Sequence, residues 1–131
     1  FGADLIVGFP TETEEMFQNT LNIVEECQLD WIHAFPFSPR PGTPAAKMPQ
    51  NDTKTIKQRS KILREVAMKR KRRHLDNLVG KSVEVFVEKD NKGYSNQFAP
   101  IKLIEKDIAS GQTITALIKS SDENFAHGVV I

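Results

Sequence analysis

Ala3-Asp4-Leu5-Ile6-Val7-Gly8-Phe9-Pro10-Thr11-Glu12-Thr13-Glu14-Glu15 decides how this chain begins to fold. Residues 3–9 are nearly all apolar, the pattern of a strand buried on both faces, as in a parallel sheet. Gly8 and Pro10 end that strand. Thr11 stands three residues before Glu14, the spacing of a capping box, and predicts a helix over about 12–28. Met16, Phe17, Leu21, Ile23, Val24 and Cys27 form a broad apolar stripe at helical spacing. Glu12, Glu14 and Glu15 crowd its first turn, where the helix dipole favours anions. A second short apolar run, residues 31–37, predicts the next strand. Strand, helix, strand makes a βαβ unit with a right-handed crossover.

Outward from that unit comes Ser38-Pro39-Arg40-Pro41-Gly42-Thr43-Pro44. Three prolines and a glycine in seven residues forbid regular structure and make a stiff loop. From composition it is either a rigid connector or part of a site. Asn51-Asp52-Thr53 then caps a second helix to about residue 78, with Ile56, Leu63, Val66, Ala67, Leu75 and Leu78 as an interrupted apolar stripe. Lys69-Arg70-Lys71-Arg72-Arg73 is its most charged turn. Five consecutive cations point all round a helix, so they are expected in solvent.

The charge is unevenly spread. Residues 1–50 carry two basic and seven acidic side chains, a charge of −5; residues 51–79 carry ten and three, +7; residues 80–131 carry six and seven, −1. A concentrated basic block attracts phosphate.

Past Gly80 the period changes. Residues 82–88 alternate Val83, Val85 and Val87 against Ser82, Glu84, Phe86 and Glu88, a half-buried strand. Asp90-Asn91-Lys92-Gly93 is turn chemistry. Residues 98–104 and 113–119 predict further strands around a turn at Ser110-Gly111, and residues 127–131 a last one. Four or five short strands in about 50 residues predict a small closed barrel of the OB-like kind.

The 131 residues suit one domain, or one small domain plus part of another. The chain opens at Phe1 rather than Met, which suggests a fragment or a processed chain. The composition, 39% hydrophobic and 27% charged, is that of an ordinary globular protein. No membrane span or signal-peptide pattern is present, so a cytoplasmic protein is the default. Cys27 is the single cysteine. It excludes an internal disulfide and cannot hold an iron–sulfur cluster, which takes about three or four thiolates.

Residues 4–15, with His33-Ala34-Phe35-Pro36-Phe37-Ser38-Pro39-Arg40-Pro41-Gly42-Thr43-Pro44-Ala45-Ala46-Lys47-Met48-Pro49, closely resemble the radical-SAM tRNA methylthiotransferases. The nearest match is the subgroup that modifies N6-threonylcarbamoyladenosine beside the anticodon. Residues 80–131 resemble the family's TRAM domain, a small RNA-binding β-barrel. The resemblance implies an α/β part followed by an all-β part. Residues 1–76 would be the C-terminal βαβ portion of a TIM-like radical-SAM barrel, with the basic helix (about 51–79) at the junction, and residues 77–131 the TRAM barrel.

The implied reaction attaches a methylthio group to C2 of the adenine. It uses S-adenosylmethionine and two 4Fe-4S clusters, whose cysteine ligands are absent here, so this chain alone should be inactive and carries no catalytic or metal-binding residue. The implied partner is tRNA, at its anticodon stem-loop, with neither DNA nor membrane. Two alternatives stand beside it: a stand-alone RNA-binding module, and the sibling methylthiotransferase that acts on a ribosomal protein.

In that frame Gly8, Pro10, Glu12, Ser38, Arg40, Gly42 and Thr43 are candidates for a cofactor-binding or active-site loop, since barrel sites lie at strand C-terminal ends. Glu12 either approaches the cofactor or merely serves the helix dipole. Arg40 offers a guanidinium for bidentate contact with phosphate or carboxylate. Ser38 and Thr43 either bond substrate or shape the loop. Glycine is frequent in the family at position 11, and Thr11 is read as a helix cap there. Lys69, Arg70, Lys71, Arg72, Arg73 and Phe98 are candidates for RNA binding, Phe98 being either a stacking aromatic or core. His33 and Trp31 read as core, and Cys27 as a structural residue on the apolar stripe. Residues 1–50 are not expected to be stable alone, because two strands leave sheet edges unpaired.

Overall fold

The structure, a computed structural model, describes residues 1–105 and 108–131. They fall into two compact units, Phe1–Arg70 and Lys71–Ile131, dividing six residues before the expected position 76.

In the first unit β1 (Gly2–Val7) and β2 (Trp31–Pro36) pair in parallel, with Leu5 opposite Ala34 and Val7 opposite Pro36. Between them runs α1 (Glu14–Glu26); after them come a single 3-10 turn, Ala45–Lys47, and α2 (Thr53–Leu78). Val7, Phe17, Val24, Leu29 and Leu63 form the buried core, with Ala3, Leu5, Ile32, Ala34 and Val66 packed against it. The strands are therefore covered on one face only. Ile6 is 57% exposed and Phe35 47%, because within the first unit the helices cover the opposite side of the sheet. The expectation of burial on both faces does not hold within this chain. His33, expected in the core, shares that open face and stacks on Phe35 with ring centroids 6.4 Å apart.

The helix cap is also displaced. Thr13, not Thr11, caps α1: its hydroxyl accepts the Met16 amide at 3.2 Å. Thr11 instead sits at φ +107, a region that a β-branched residue adopts only under strain. A glycine would take that angle without strain. Cys27 is the exposed C-cap of α1, off the buried stripe that Phe17 and Val24 define.

α2 starts where expected. The Asp52 carboxylate accepts the Lys54 amide at 3.4 Å and its carbonyl accepts the Ile56 amide at 3.0 Å. Leu63 and Leu75 on its apolar stripe are fully buried.

The second unit is a closed barrel in the order β3 (Ser82–Val87), β4 (Lys92–Ser95), β5 (Pro100–Leu103), β7 (Ala126–Val130), β6 (Thr113–Ser121). All neighbours are antiparallel except β5 and β7, which run parallel with Ile101 opposite Ala126. Val85, Val87, Ile101, Leu103, Ala116 and Ile118 fill the interior, following the alternation read from the sequence. Asp90 and Asn91 take φ of +62 and +56, the left-handed pair of a two-residue hairpin turn. β5 begins at Pro100 and not at Phe98, since Phe98 adopts φ +64 and cannot continue a ladder.

Candidate functional site

The C-terminal ends of β1 and β2 carry the two loops that the sequence singled out. Gly8 turns the chain at φ +81, with its own α-carbon so close to Ile56 that a Cβ would lie 2.6 Å from Cγ1. Only glycine fits both the angle and the space. Glu12 folds back over this turn: its Oε1 accepts the Gly8 amide at 2.9 Å. Pro10 is buried within the same loop.

Glu12 does not face an open mouth. Arg59 of α2 donates to Glu12 Oε1 at 2.8 Å and to the Glu12 carbonyl at 3.0 Å, and reaches Glu14 at 3.4 Å. Both Arg59 and the Glu12 carboxylate are buried, and the guanidinium lies 5.6 Å from the centroid of Phe17. The Asn51 side-chain amide adds donors to the Phe9 carbonyl at 2.8 Å and the Gly8 carbonyl at 3.4 Å. Glu12 is thus first a structural strut for the strand-end loop. Arg59 as the partner of Glu12, and Asn51 as a donor to the Gly8 and Phe9 carbonyls, were not legible: nothing in their local sequence marks contacts more than 40 residues distant.

The second loop is held by Thr43. The Thr43 hydroxyl donates to the Arg40 carbonyl at 2.8 Å and accepts the Ala46 amide at 3.3 Å, so Thr43 shapes the loop. Gly42, at φ +84 with no atom near its Cβ position, serves the turn. Ser38 and Arg40 are exposed. Both line an open cleft of about 520 Å³ with Thr43, Ile6, Phe35 and Phe37. The structure therefore brings Ser38, Arg40 and Thr43 together at one strand-end cleft and leaves Gly8, Pro10 and Glu12 to build the neighbouring turn. The cleft pairs an apolar wall with one guanidinium and a hydroxyl, a set suited to a ligand with a flat apolar part and an anionic group.

The basic run divides. Arg70, expected in solvent, is 5% exposed. It donates to the Leu29 carbonyl at 3.3 Å, Glu25 at 3.1 Å and Asp30 at 2.9 Å. That removes it from the RNA-binding candidates: its donors are committed to the α1–β2 turn of the first unit. Lys69, Arg72 and Arg73 are exposed, and Lys71 is half-buried. Arg72 pairs with Asp76 one turn on, at 3.1 Å, and Asp76 also accepts the Ser121 hydroxyl at 2.5 Å. The Ser121 and Arg72 contacts hold the Asp76 carboxyl below the usual carboxylate range.

Phe98 is 75% exposed and so not core. Phe86 and Tyr94 are about half exposed on the outer barrel wall. Phe86 was legible, as it alternates with the buried valines of β3.

Among the described residues no group of three or more His, Cys, Asp or Glu is placed to hold a metal ion, and no helix is long and apolar enough to cross a membrane. No family model matches the chain. In sequence it is similar along its whole length to tRNA methylthiotransferases. It is 40% identical to the threonylcarbamoyladenosine tRNA methylthiotransferase MtaB of Rickettsia prowazekii, over all 131 residues and 31% of that relative. A probable threonylcarbamoyladenosine tRNA methylthiotransferase of Methanocaldococcus jannaschii is 47% identical over 78% of this chain and 24% of its own length. A tRNA-2-methylthio-N(6)-dimethylallyladenosine synthase of a Ruegeria species is 37% identical over 98% of this chain and 30% of its own. The chain thus spans less than a third of the length of these relatives.

Proposed function

We propose that this chain is a portion of a radical-SAM tRNA methylthiotransferase that replaces the C2 hydrogen of N6-threonylcarbamoyladenosine, beside the anticodon, with a methylthio group. Residues 1–76 supply part of the catalytic barrel, and residues 77–131 form a TRAM domain that grips the tRNA. The observation that carries this reading is similarity over all 131 residues to one such enzyme, across both compact units. The parallel β1–β2 pair with its strand-end cleft is what a barrel fragment requires, and the five-stranded barrel is what a TRAM domain requires.

The complete enzyme binds S-adenosylmethionine and two 4Fe-4S clusters, which supply radical and sulfur chemistry. Cys27, alone and at a helix C-cap, does not fit a cluster, so no step through one is assigned to these residues. Their contribution is placement: Arg40 and Ser38 hold a polar part of cofactor or substrate at the cleft, while the Gly8–Glu12–Arg59 arrangement fixes the adjoining turn. Lys69, Arg72 and Arg73 contact RNA phosphates. Action in the cytoplasm follows from the tRNA substrate.

The test is complementation. The complete coding sequence that contains this chain is expressed in cells lacking tRNA methylthiotransferases, and their tRNA nucleosides are analysed by mass spectrometry. Appearance of 2-methylthio-N6-threonylcarbamoyladenosine is expected. The dimethylallyl derivative instead would move the chain to the sibling subgroup, and neither product, with tRNA binding retained, would leave an RNA-binding module without this chemistry.

A further inference from the structure

We infer that the outer wall of β3, β4 and the β4–β5 loop, carrying Phe86, Tyr94 and Phe98, is a stacking platform for unpaired RNA bases. The inference rests on the tRNA reading above for its choice of RNA; the geometry of the wall stands independently of it.

Phe86 and Tyr94 are direct cross-strand partners, and Tyr94 in turn faces Pro100 on β5. Their immediate neighbours Val85, Val87, Gly93 and Ser95 are buried, so this row points out of the barrel. Aromatic side chains normally take the inside of so small a barrel, where their burial stabilises most. Here the interior is filled by aliphatic residues, and two aromatic residues stand side by side in water.

Phe98 stands in the loop between β4 and β5, two residues before Pro100, the residue that Tyr94 faces. It is 75% exposed at φ +64, an uncommon conformation for a bulky residue. Ser95, itself buried, fixes the loop: its hydroxyl accepts the amides of Gln97 at 3.3 Å and Ala99 at 3.1 Å, while its carbonyl accepts that of Phe98 at 2.9 Å. A strained backbone kept in place by its surroundings, with an apolar side chain in solvent, is the kind of outlier that accompanies binding.

Charge selects the occupant. Two residues along the same face, Lys92 and Lys102 are cross-strand partners, and both are exposed. Glu88 stands opposite Lys92, its amide donating to the Lys92 carbonyl at 2.7 Å, so phosphates are favoured on the β5 side, at Lys102, away from the β3 acids. Neighbouring strands are about 4.8 Å apart, which sets Phe86 and Tyr94 within reach of consecutive unstacked bases while Lys102 meets the phosphates. The second and third strands of such barrels are a known place for oligonucleotides, and base–aromatic stacking tolerates any sequence. A protein partner has less to recommend it, since a protein interface over the aromatics would also have to desolvate the exposed ammonium groups of Lys92 and Lys102.

Tyr94 is the only tyrosine, so 3-fluorotyrosine labelling gives the 131-residue chain a single ¹⁹F resonance. The probes are an eight-nucleotide oligoadenylate, an abasic sugar-phosphate oligomer of equal length, and a fully paired RNA hairpin. Oligoadenylate is expected to move the resonance to saturation, and the other two are not. Phe86→Ser and, separately, Phe98→Ser should weaken oligoadenylate binding roughly five- to hundred-fold with unchanged circular dichroism. If all three probes move the resonance alike, the contacts are electrostatic and the platform is wrong. If oligoadenylate binds while the resonance and the serine variants show no effect, the platform is overturned and the RNA-binding reading survives. If no RNA binds, both fall.

Discussion

Arg59 donates to the Glu12 carboxylate at 2.8 Å and to the Glu12 carbonyl at 3.0 Å, although 47 residues separate them. This contact ties α2 to the turn after β1. Because both charges are buried, removing one strands the other. Arg59→Met is expected to cost about 3–5 kcal/mol, enough to abolish amide protection of Gly8 and Phe17 in hydrogen exchange. Adding Glu12→Gln removes the stranded charge and keeps an acceptor for the Gly8 amide, so the double variant should regain protection. Equal losses in single and double variants would show that the pair is not coupled.

The basic run predicts two separable phenotypes. Replacing Lys69, Arg72 and Arg73 by Gln should weaken tRNA binding and flatten its salt dependence, by roughly 0.7 in log–log slope per lost contact to single strands. Melting should change little, since these side chains are exposed. Arg70→Gln should do the reverse, unsettling the α1–β2 turn with little change in slope. A salt titration beside a melting curve reads both, and matching behaviour of the two variants would refute the division.

Arg40 stands on a loop that Thr43 holds through the Arg40 carbonyl, and its side chain is exposed at the cleft. In the complete enzyme, Arg40→Ala should lower turnover by about 1.5–3 kcal/mol in transition-state terms, the size of a lost charge-assisted contact, with an unchanged melting temperature. A lower melting temperature at full turnover would make Arg40 structural.

Thr11→Gly should stabilise the first unit. The native φ of +107 strains a β-branched residue by about 1–3 kcal/mol, against roughly 0.5–1 kcal/mol for the added freedom of glycine when unfolded. Hydrogen exchange at Glu12 and Phe17 should slow. Faster exchange would mean that the strain is relieved by contacts Thr11 makes.

Asp122 predicts how the barrel responds to acid. His127 Nε2 lies 2.7 Å from Asp122 Oδ2, and the Asn124 and Phe125 amides donate to Oδ1 at 2.7 and 2.8 Å. The His127 contact first, then the two amides, hold the carboxyl far below its usual range. A carboxyl whose folded pKa is depressed stabilises the fold above the unfolded value, about 3.9, and loses that contribution as pH falls through and below it. The barrel's melting temperature should therefore drop more steeply below about pH 4 in the parent chain than in Asp122→Asn. Parallel curves for the two would remove Asp122 from the acid response.

Sequence by itself determined the order of elements in this chain. Apolar runs at residues 3–9 and 31–37, helical spacing between them, and strict alternation at Val83, Val85 and Val87 are local signals: period separates the helix from the alternating strand, and short length with flanking Gly8, Pro10 and Pro39 marks the apolar runs as strands. Gly8 and the Asp90–Asn91 turn were equally legible, since their backbone angles constrain the residue type directly. What only the tertiary structure decided is which side chains are spent. Arg59 and Arg70 are two among ten cations in residues 51–79, and local composition does not separate them from Lys69 or Arg73. Their roles follow from Glu12, Glu25 and Asp30, which reach them only across the folded unit. The same holds for Thr11, whose backbone angle is imposed by the turn around it, and for the parallel β5–β7 pairing that closes the barrel. An ion pair or a strand pairing between distant residues depends on where the chain returns in space, and the local sequence around one partner does not encode that.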